Sequence, residues 1–322
     1  MHTKILAVLL AFVYSNLTMA AAPGISPLHE VAAKSASVLG VHSWIHGSDD
    51  CSTNSDLAFD VYAHDKTTYI LRQNKCITFE APFIYVLVGL DEVLVLDTGA
   101  AEESSDISFY NILGATLGQD VMDSKIIVVV HSHSHSDHYG GDAQFNDKNQ
   151  VTLVKPNAEA IKEFFDFEHW PNGEARVELG GRTLIVMHTP GHQEESITIY
   201  DPQTRWLLTG DTLYPGYIYV KHWENYKKSI ARLELFSESN DVTALMGSHI
   251  EMTRTPEKYY PIGTTFQPDE APLDLRPGSL KELNDRLQGS NGKEELVFDG
   301  FIVAPMNGIQ RTLSNIARWI TQ

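Results

Sequence analysis

The densest chemistry in the chain lies in eight consecutive residues, His131-Ser132-His133-Ser134-His135-Ser136-Asp137-His138. The stretch brings together four imidazoles and a carboxylate, more potential charge than a core tolerates, because an unpaired buried polar group costs several kcal/mol. A metal ion removes the conflict by taking the nitrogen lone pairs as ligands. A solvated His-rich tract is the plainer reading, but it leaves the preceding residues unexplained. Ile126-Ile127-Val128-Val129-Val130 is a β-branched run that predicts a buried strand ending where the histidines begin. Polar residues that do chemistry commonly sit on the loop just past such a strand.

Three later loops repeat this arrangement, each offering one ligand after an apolar run. They are Thr189-Pro190-Gly191-His192, Thr209-Gly210-Asp211-Thr212 and Gly247-Ser248-His249. A glycine one or two residues before each ligand permits close backbone approach. Added to His133, His135, Asp137 and His138, the three bring the candidate ligands to seven, enough for two metals and a bridging carboxylate. Five further histidines read more plainly. His131 either orients a ligand or simply ends its strand, His188 sits on an apolar strand as a structural residue, His222 opens a helix at the surface, and His42 and His46 are surface or packing residues.

Strands must hold these loops. Phe59–Ala63 pairs with Thr67–Leu71, and Phe83–Val88 pairs with Glu92–Leu96, which ends in the polar turn Asp97-Thr98-Gly99. Residues 102–117 predict a helix capped by Ser104 or Ser105, with a stripe of Ile107, Phe109, Ile112 and Leu113. A second helix is expected at 157–167. Strands follow at 176–179, 183–187, 196–200 and 206–209, then a helix at 222–237 and a short strand at Val242–Met246. Residues 261–277, rich in Pro and Asp, predict a long loop. Beyond it come a helix at Leu280–Leu287, a strand within Glu295–Val303 and a helix at Ile309–Ile320. Hairpins followed by strand–helix alternation suggest two sheets with helices outside.

The whole chain narrows the function further. A formal net charge of −18 disfavours nucleic acid, whose phosphates require clustered Lys and Arg. Lys4, the apolar run Ile5–Tyr14 and the small residues Ala20-Ala21-Ala22 predict a secretory signal peptide over residues 1–22. No later segment reaches ~18 uninterrupted apolar residues, so no membrane contact is expected after its removal. Export to a secreted or periplasmic location makes a disulfide between the two cysteines, Cys51 and Cys76, plausible. Such a bond would contribute about 3 kcal/mol. Residues 23–58 read as an irregular N-terminal extension, with a short helix at 27–38.

The set His133-x-His135-x-Asp137-His138, followed by Gly191-His192, Gly210-Asp211 and His249, with Asp97-Thr98-Gly99 upstream, resembles the metallo-β-lactamase-fold hydrolases. His131 falls outside this register. The resemblance covers roughly residues 59–255 and implies an α/β fold, an αββα sandwich with N- and C-terminal extensions. A catalytic domain is expected over 59–265 and a C-terminal extension packing on it over 266–322. The resemblance also implies one metal on His133, His135 and His192, a second on Asp137, His138 and His249, and Asp211 bridging them. Asp97 would orient a ligand, and an all-His first site favours two zinc ions, with iron or manganese as alternatives. Two such ions about 3.5–4 Å apart generate a hydroxide that attacks an electrophilic centre. Asp137 would carry a proton, and Tyr214, three residues past Asp211, would donate to the substrate oxygen. The implied activity is hydrolysis of a small-molecule lactone, ester or related acyl compound. Alternatives are β-lactam hydrolysis, thioester hydrolysis of the glyoxalase II type, and a non-catalytic metal-binding domain.

Overall fold

The computed structural model describes residues 37–40, 42–100 and 107–321. The leader expected at 1–22, nearly all of the helix expected at 27–38, and the caps expected at Ser104 and Ser105 lie outside them. Six strands form one sheet in sequential order: β1 (Phe59–Ala63), β2 (Thr68–Gln73), β3 (Phe83–Val88), β4 (Glu92–Leu96), β5 (Ile126–Val130) and β6 (Val151–Leu153). Two helices, α1 (Phe109–Leu117) and α2 (Gln119–Ser124), lead into β5. A short helix α3 (Ser136–Tyr139) carries the end of the His-rich stretch, and α4 (Ala158–Phe165) follows β6.

A second sheet has the order β13-β12-β10-β9-β8-β7, built from β7 (Glu174–Glu178), β8 (Thr183–His188), β9 (Ile197–Asp201), β10 (Trp206–Gly210), β12 (Ala244–Gly247) and β13 (Asp274–Leu275). Between β10 and β12 run β11 (Tyr217–Val220) and the long helix α5 (Trp223–Ser239). After β13 come α6 (Gly278–Gln288), β14 (Leu296–Val297), β15 (Ile302–Pro305) and α7 (Gly308–Thr321). A small third sheet sets β15 parallel to β11 and antiparallel to β14. Residues beyond 265 thus supply β13 to the second sheet and two strands to the third. No helix among the described residues is long and apolar enough to cross a membrane.

The layering follows from strand periodicity. Successive side chains leave opposite faces of a strand, and β3, β4, β8 and β10 are buried on both. Phe83, Tyr85, Leu94, Leu96, Val128 and Val130 meet Leu184, Val186, Ile197, Ile199, Trp206 and Leu208 between the two sheets. Their chain neighbours Ile84, Val86, Val95 and Val129 pack instead with Phe109 and Leu113 of α1. On the far side, Ile185, Met187 and Leu207 pack with Tyr226, Ile230 and Leu233 of α5 and with Leu283 of α6. The result is helix, sheet, sheet, helix. Each fully buried Leu, Ile or Val contributes about 1.5–3 kcal/mol, so a one-residue slip in register would forfeit a whole layer.

Three expectations need correction. The first helix begins at Phe109 rather than 102, because the Ser108 hydroxyl accepts from Asn111 N and caps it there. Glu295–Val303 is two strands rather than one, since the chain turns at Asp299-Gly300 and Phe298 N bonds Phe301 O at 3.0 Å. The loop 261–277 contains β13, paired antiparallel to β12.

Candidate metal centre

Strand direction brings the ligands to one sheet edge. β4 runs parallel to β5, and β10 parallel to β12. β8 is antiparallel to β9, which is antiparallel to β10, so β8 points the same way as β10. The C-terminal ends of these five strands deliver Asp97, the 131–138 stretch, His192, Asp211 and His249. Glycine is required where the loops converge. Gly210 has φ +52°, and a Cβ there would meet Ser132 Cβ at 2.6 Å. A Cβ on Gly191 would lie 2.6 Å from Tyr226 Cα.

The side chains fall into two groups that could hold a metal ion: His133, His135, His192 and Asp211, and Asp137, His138 and His249. Within each, the ligand atoms lie within 4.8 Å of one another. Asp211 connects them. Its Oδ2 is 3.8 Å from His133 Nε2 and 3.6 Å from His192 Nε2. Its Oδ1 is 3.7 Å from His138 Nε2 and 3.5 Å from His249 Nε2. Asp137 Oδ2 lies 3.1 Å from His138 Nε2 and 3.2 Å from His249 Nε2.

The outward nitrogens show which way the rings are held. His192 Nδ1 donates to Tyr219 O at 2.7 Å, and His249 Nδ1 to Glu80 O at 3.0 Å. A carbonyl only accepts, so Nδ1 carries a proton and Nε2 is the nitrogen that faces inward. His138 Nδ1 donates to Asp97 Oδ2 at 2.8 Å. Asp97 also accepts from Ser132 N at 2.7 Å and Ser132 Oγ at 2.9 Å. With its own proton given to Asp97, the Ser132 hydroxyl accepts from His133 Nδ1 at 3.1 Å. His135 is turned the other way. Its Nδ1 faces His192 Nε2 at 3.1 Å, and its Nε2 lies 2.5 Å from the side-chain amide of Gln193, which also bonds Ser314 Oγ at 3.0 Å.

Charge completes the fit. Burial holds the His133, His135 and His192 rings below their ordinary pKa, His135 at about 3, so all three are neutral ligands. Burial also opposes charge on His138 and His249. At His138, Asp137, Asp97 and Asp211 outweigh it and raise the ring well above its ordinary value. At His249, Asp211 and Asp137 raise the ring to about 9. Despite burial, His138 and His249 hold Asp137 and Asp211 well below the usual carboxylate range. Nearby, burial and then Asp137 push Glu80 up to about 7, and burial raises Glu251. Without a metal, this pocket of carboxylates is balanced by protons on two imidazoles. His133 Nε2 and Asp211 Oδ1 are buried with no hydrogen-bond partner, and such groups are costly to leave unpaired. A divalent cation satisfies both, so the residues fit the metals expected of them.

Other candidates occupy different positions. His131 spends both nitrogens elsewhere, on Val154 O at 3.0 Å and Asp142 Oδ1 at 2.8 Å. His188 stacks on Trp170, 4.1 Å between centroids, and His222 opens α5 with its ring 2.9 Å from Glu194. His42 packs edge-on against Trp44, and His46 lies beside Phe266. Tyr214 is buried with its ring 5.5 Å from that of His249, and its hydroxyl reaches Tyr217 O at 3.1 Å and Glu251 Oε2 at 3.3 Å. Cys51 and Cys76 form a disulfide. Sequence reasoning singled out neither Ser132 and Gln193 nor the carbonyls of Glu80 and Tyr219. Only the two side chains had a signal, each lying directly beside a ligand histidine.

The family model of the metallo-beta-lactamase superfamily matches residues 77–249, more than half of the 322 residues. Among relatives, an acyl-coenzyme A thioesterase, MBLAC2, of Bos taurus is 28% identical over 166 residues, covering 41% of this chain and 58% of its own length. A hydroxyacylglutathione hydrolase of Rhodopseudomonas palustris is 27% identical over 161 residues, 49% of this chain and 60% of its own. The chain thus spans under two thirds of the length of either. Among solved structures, a metallo-beta-lactamase from Pontibacter korlensis superposes with a TM-score of 0.48 at 15% identity, covering 72% of this chain and 100% of that one. With an αββα sandwich, a His/Asp cluster at its edge and a family match across the ligand loops, this chain belongs to the metallo-beta-lactamase superfamily of metallo-hydrolases.

Proposed function

We propose that the protein is an exported dinuclear zinc hydrolase that cleaves an acyl bond in a small molecule. The observation that carries this reading is the division of Asp211, one oxygen facing His133 and His192 and the other facing His138 and His249. His133, His135 and His192 would hold one ion, Asp137, His138 and His249 the other, and Asp211 would bridge them. Imidazole and carboxylate donors without thiolate suit zinc. When bound, the ions supply Lewis acidity toward a carbonyl and a nucleophile from water at neutral pH.

The chain's own groups supply the rest. Asp97 and the carbonyls of Tyr219 and Glu80 fix the ring orientations, and such partners are worth roughly 10–100-fold in metal affinity. Asp137 would hold the transferred proton. Tyr214 is the candidate donor to the substrate oxygen, its hydroxyl exchanging Tyr217 O for the ligand. Residues 59–265 form the catalytic unit, with the segment from 266 onward closing the sheets around it. Export is supported by the disulfide and by the apolar N-terminal run.

Thioesters stand beside lactones and oxygen esters as substrates, because the relatives named above are a thioesterase and a hydroxyacylglutathione hydrolase. The test is a panel of lactones, esters, thioesters and β-lactams given to zinc-loaded protein, with and without chelator. Chelator-sensitive turnover of an acyl substrate is expected. Inertness toward the whole panel with metal bound would favour a non-catalytic metal-binding domain.

A further inference from the structure

A row of aromatic rings borders the metal centre and has no part in holding it. Along β11, Ile218 and Val220 are buried, whereas Tyr217 and Tyr219 share the opposite, partly exposed face. Their centroids are 5.0 Å apart, and Tyr259 continues the row 5.2 Å from Tyr217. Tyr259 is 43% exposed. Three tyrosines on a surface are ordinarily just amphipathic covering. This row differs in being pinned to the centre. Tyr219 O accepts from His192 Nδ1 at 2.7 Å, Tyr217 N donates to Glu251 Oε2 at 2.7 Å, and Tyr217 O accepts from the Tyr214 hydroxyl at 3.1 Å. At its outer end the Tyr217 hydroxyl bonds Glu295, which fixes the ring. A ring held as that of Tyr217 is loses little freedom when a ligand stacks on it.

Two carboxylates touch the row directly, Glu251 at Tyr217 N at 2.7 Å and Glu295 at the Tyr217 hydroxyl. Carboxylates bonded to the row repel phosphates and welcome neutral or cationic groups. We propose that Tyr217, Tyr219 and Tyr259 form a substrate subsite that takes a planar aromatic group, uncharged or cationic, attached to the acyl bond presented to the centre. The proposal rests on the acyl-hydrolase reading for the identity of the bond cleaved. A polyphosphorylated carrier is the wrong electrostatic match for the row.

The test uses the full chain and two readouts. The first is binding of N-(2-naphthyl)acetamide, which carries a naphthyl ring on an uncleaved amide, to chelator-treated protein by calorimetry. The second is the ratio of kcat/KM for 2-naphthyl acetate over ethyl acetate in zinc-loaded protein. Tyr259→Ala, at an exposed loop position, should weaken the amide about 3- to 10-fold, as expected for a lost aromatic stack. It should lower the ester ratio by a similar factor, and Tyr259→Phe should restore both. Undiminished amide binding in Tyr259→Ala would overturn the subsite. So would a coenzyme A thioester that competes with the amide more strongly than naphthyl acetate and loses that advantage in Tyr259→Ala. Binding that depends on Tyr259 in a protein that hydrolyses no ester would instead sink the hydrolase reading and leave the subsite standing.

Discussion

Asp97→Asn tests how the centre is held. The carboxylate has no exposed surface and accepts three bonds, from Ser132 N, Ser132 Oγ and His138 Nδ1, at 2.7, 2.9 and 2.8 Å. Asparagine matches its shape and tolerates the positive φ of +72° at this position, so the backbone is not the cause of any effect. The amide, however, has one accepting oxygen and one donating nitrogen. With its oxygen on Ser132 N, the nitrogen confronts His138 Nδ1–H, and with the oxygen on His138 it confronts Ser132 N–H. Relief through His138 means moving the ring proton to Nε2, the nitrogen that faces Asp137 and Asp211. Losing a hydrogen bond to a buried charge costs about 1.5–3 kcal/mol. That is roughly one to two decades of affinity at 1.36 kcal/mol per decade, in line with the 10–100-fold typical of groups that orient metal ligands. Zinc competition against a chromophoric chelator should show this loss, with circular dichroism unchanged. A variant within about 3-fold of wild type would refute the claim that Asp97 sets the His138 tautomer.

Tyr214→Phe should lower kcat about 100-fold, within the range for a lost oxyanion donor, with KM little changed; near-wild-type kcat would assign the hydroxyl to Tyr217 O and Glu251 alone. Lys75 is buried against Phe79 O at 2.9 Å, and burial followed by Arg72 lowers it to about 8. Between pH 8 and its unfolded value of 10.5 the unfolded chain binds the extra proton, so stability rises with pH across that window. The full span corresponds to about 3 kcal/mol. Lys75→Met should flatten this rise in urea midpoints between pH 8 and 9, a unit below the ordinary tyrosine value, and an unchanged slope would exclude Lys75 as its source. Cys51→Ser with Cys76→Ser should destabilise the fold by about 3 kcal/mol through loop-closure entropy, read as a lowered denaturant midpoint; an unshifted midpoint would contradict it.

The ligands were legible because each of them announces itself. His and Asp beside glycine at the end of an apolar run leave few structural uses, and Asp137-His138 fixes the register of the cluster. The layers were legible too, since strands such as Phe83–Val88 and Thr183–His188 are apolar on both faces and must lie between two packed layers. What escaped depends on partners distant in the chain. β11 is four residues of weak alternation, made a strand by pairing with Ile302–Pro305. The cap at Ser108 is backed by Gln144, whose side-chain oxygen accepts from Tyr110 N at 3.1 Å. The carbonyls of Glu80 and Tyr219 orient two ligand rings, yet a carbonyl is common to every residue and has no sequence signature.

The most direct measurement is the metal stoichiometry of the intact chain, by titration of chelator-treated protein with zinc and elemental analysis of the product. Two equivalents are expected in the wild type, with both sites weakened in Asp211→Ala because one carboxylate serves the two. A single equivalent in the wild type, or two that bind Asp211→Ala with unaltered affinity, would contradict the bridged pair.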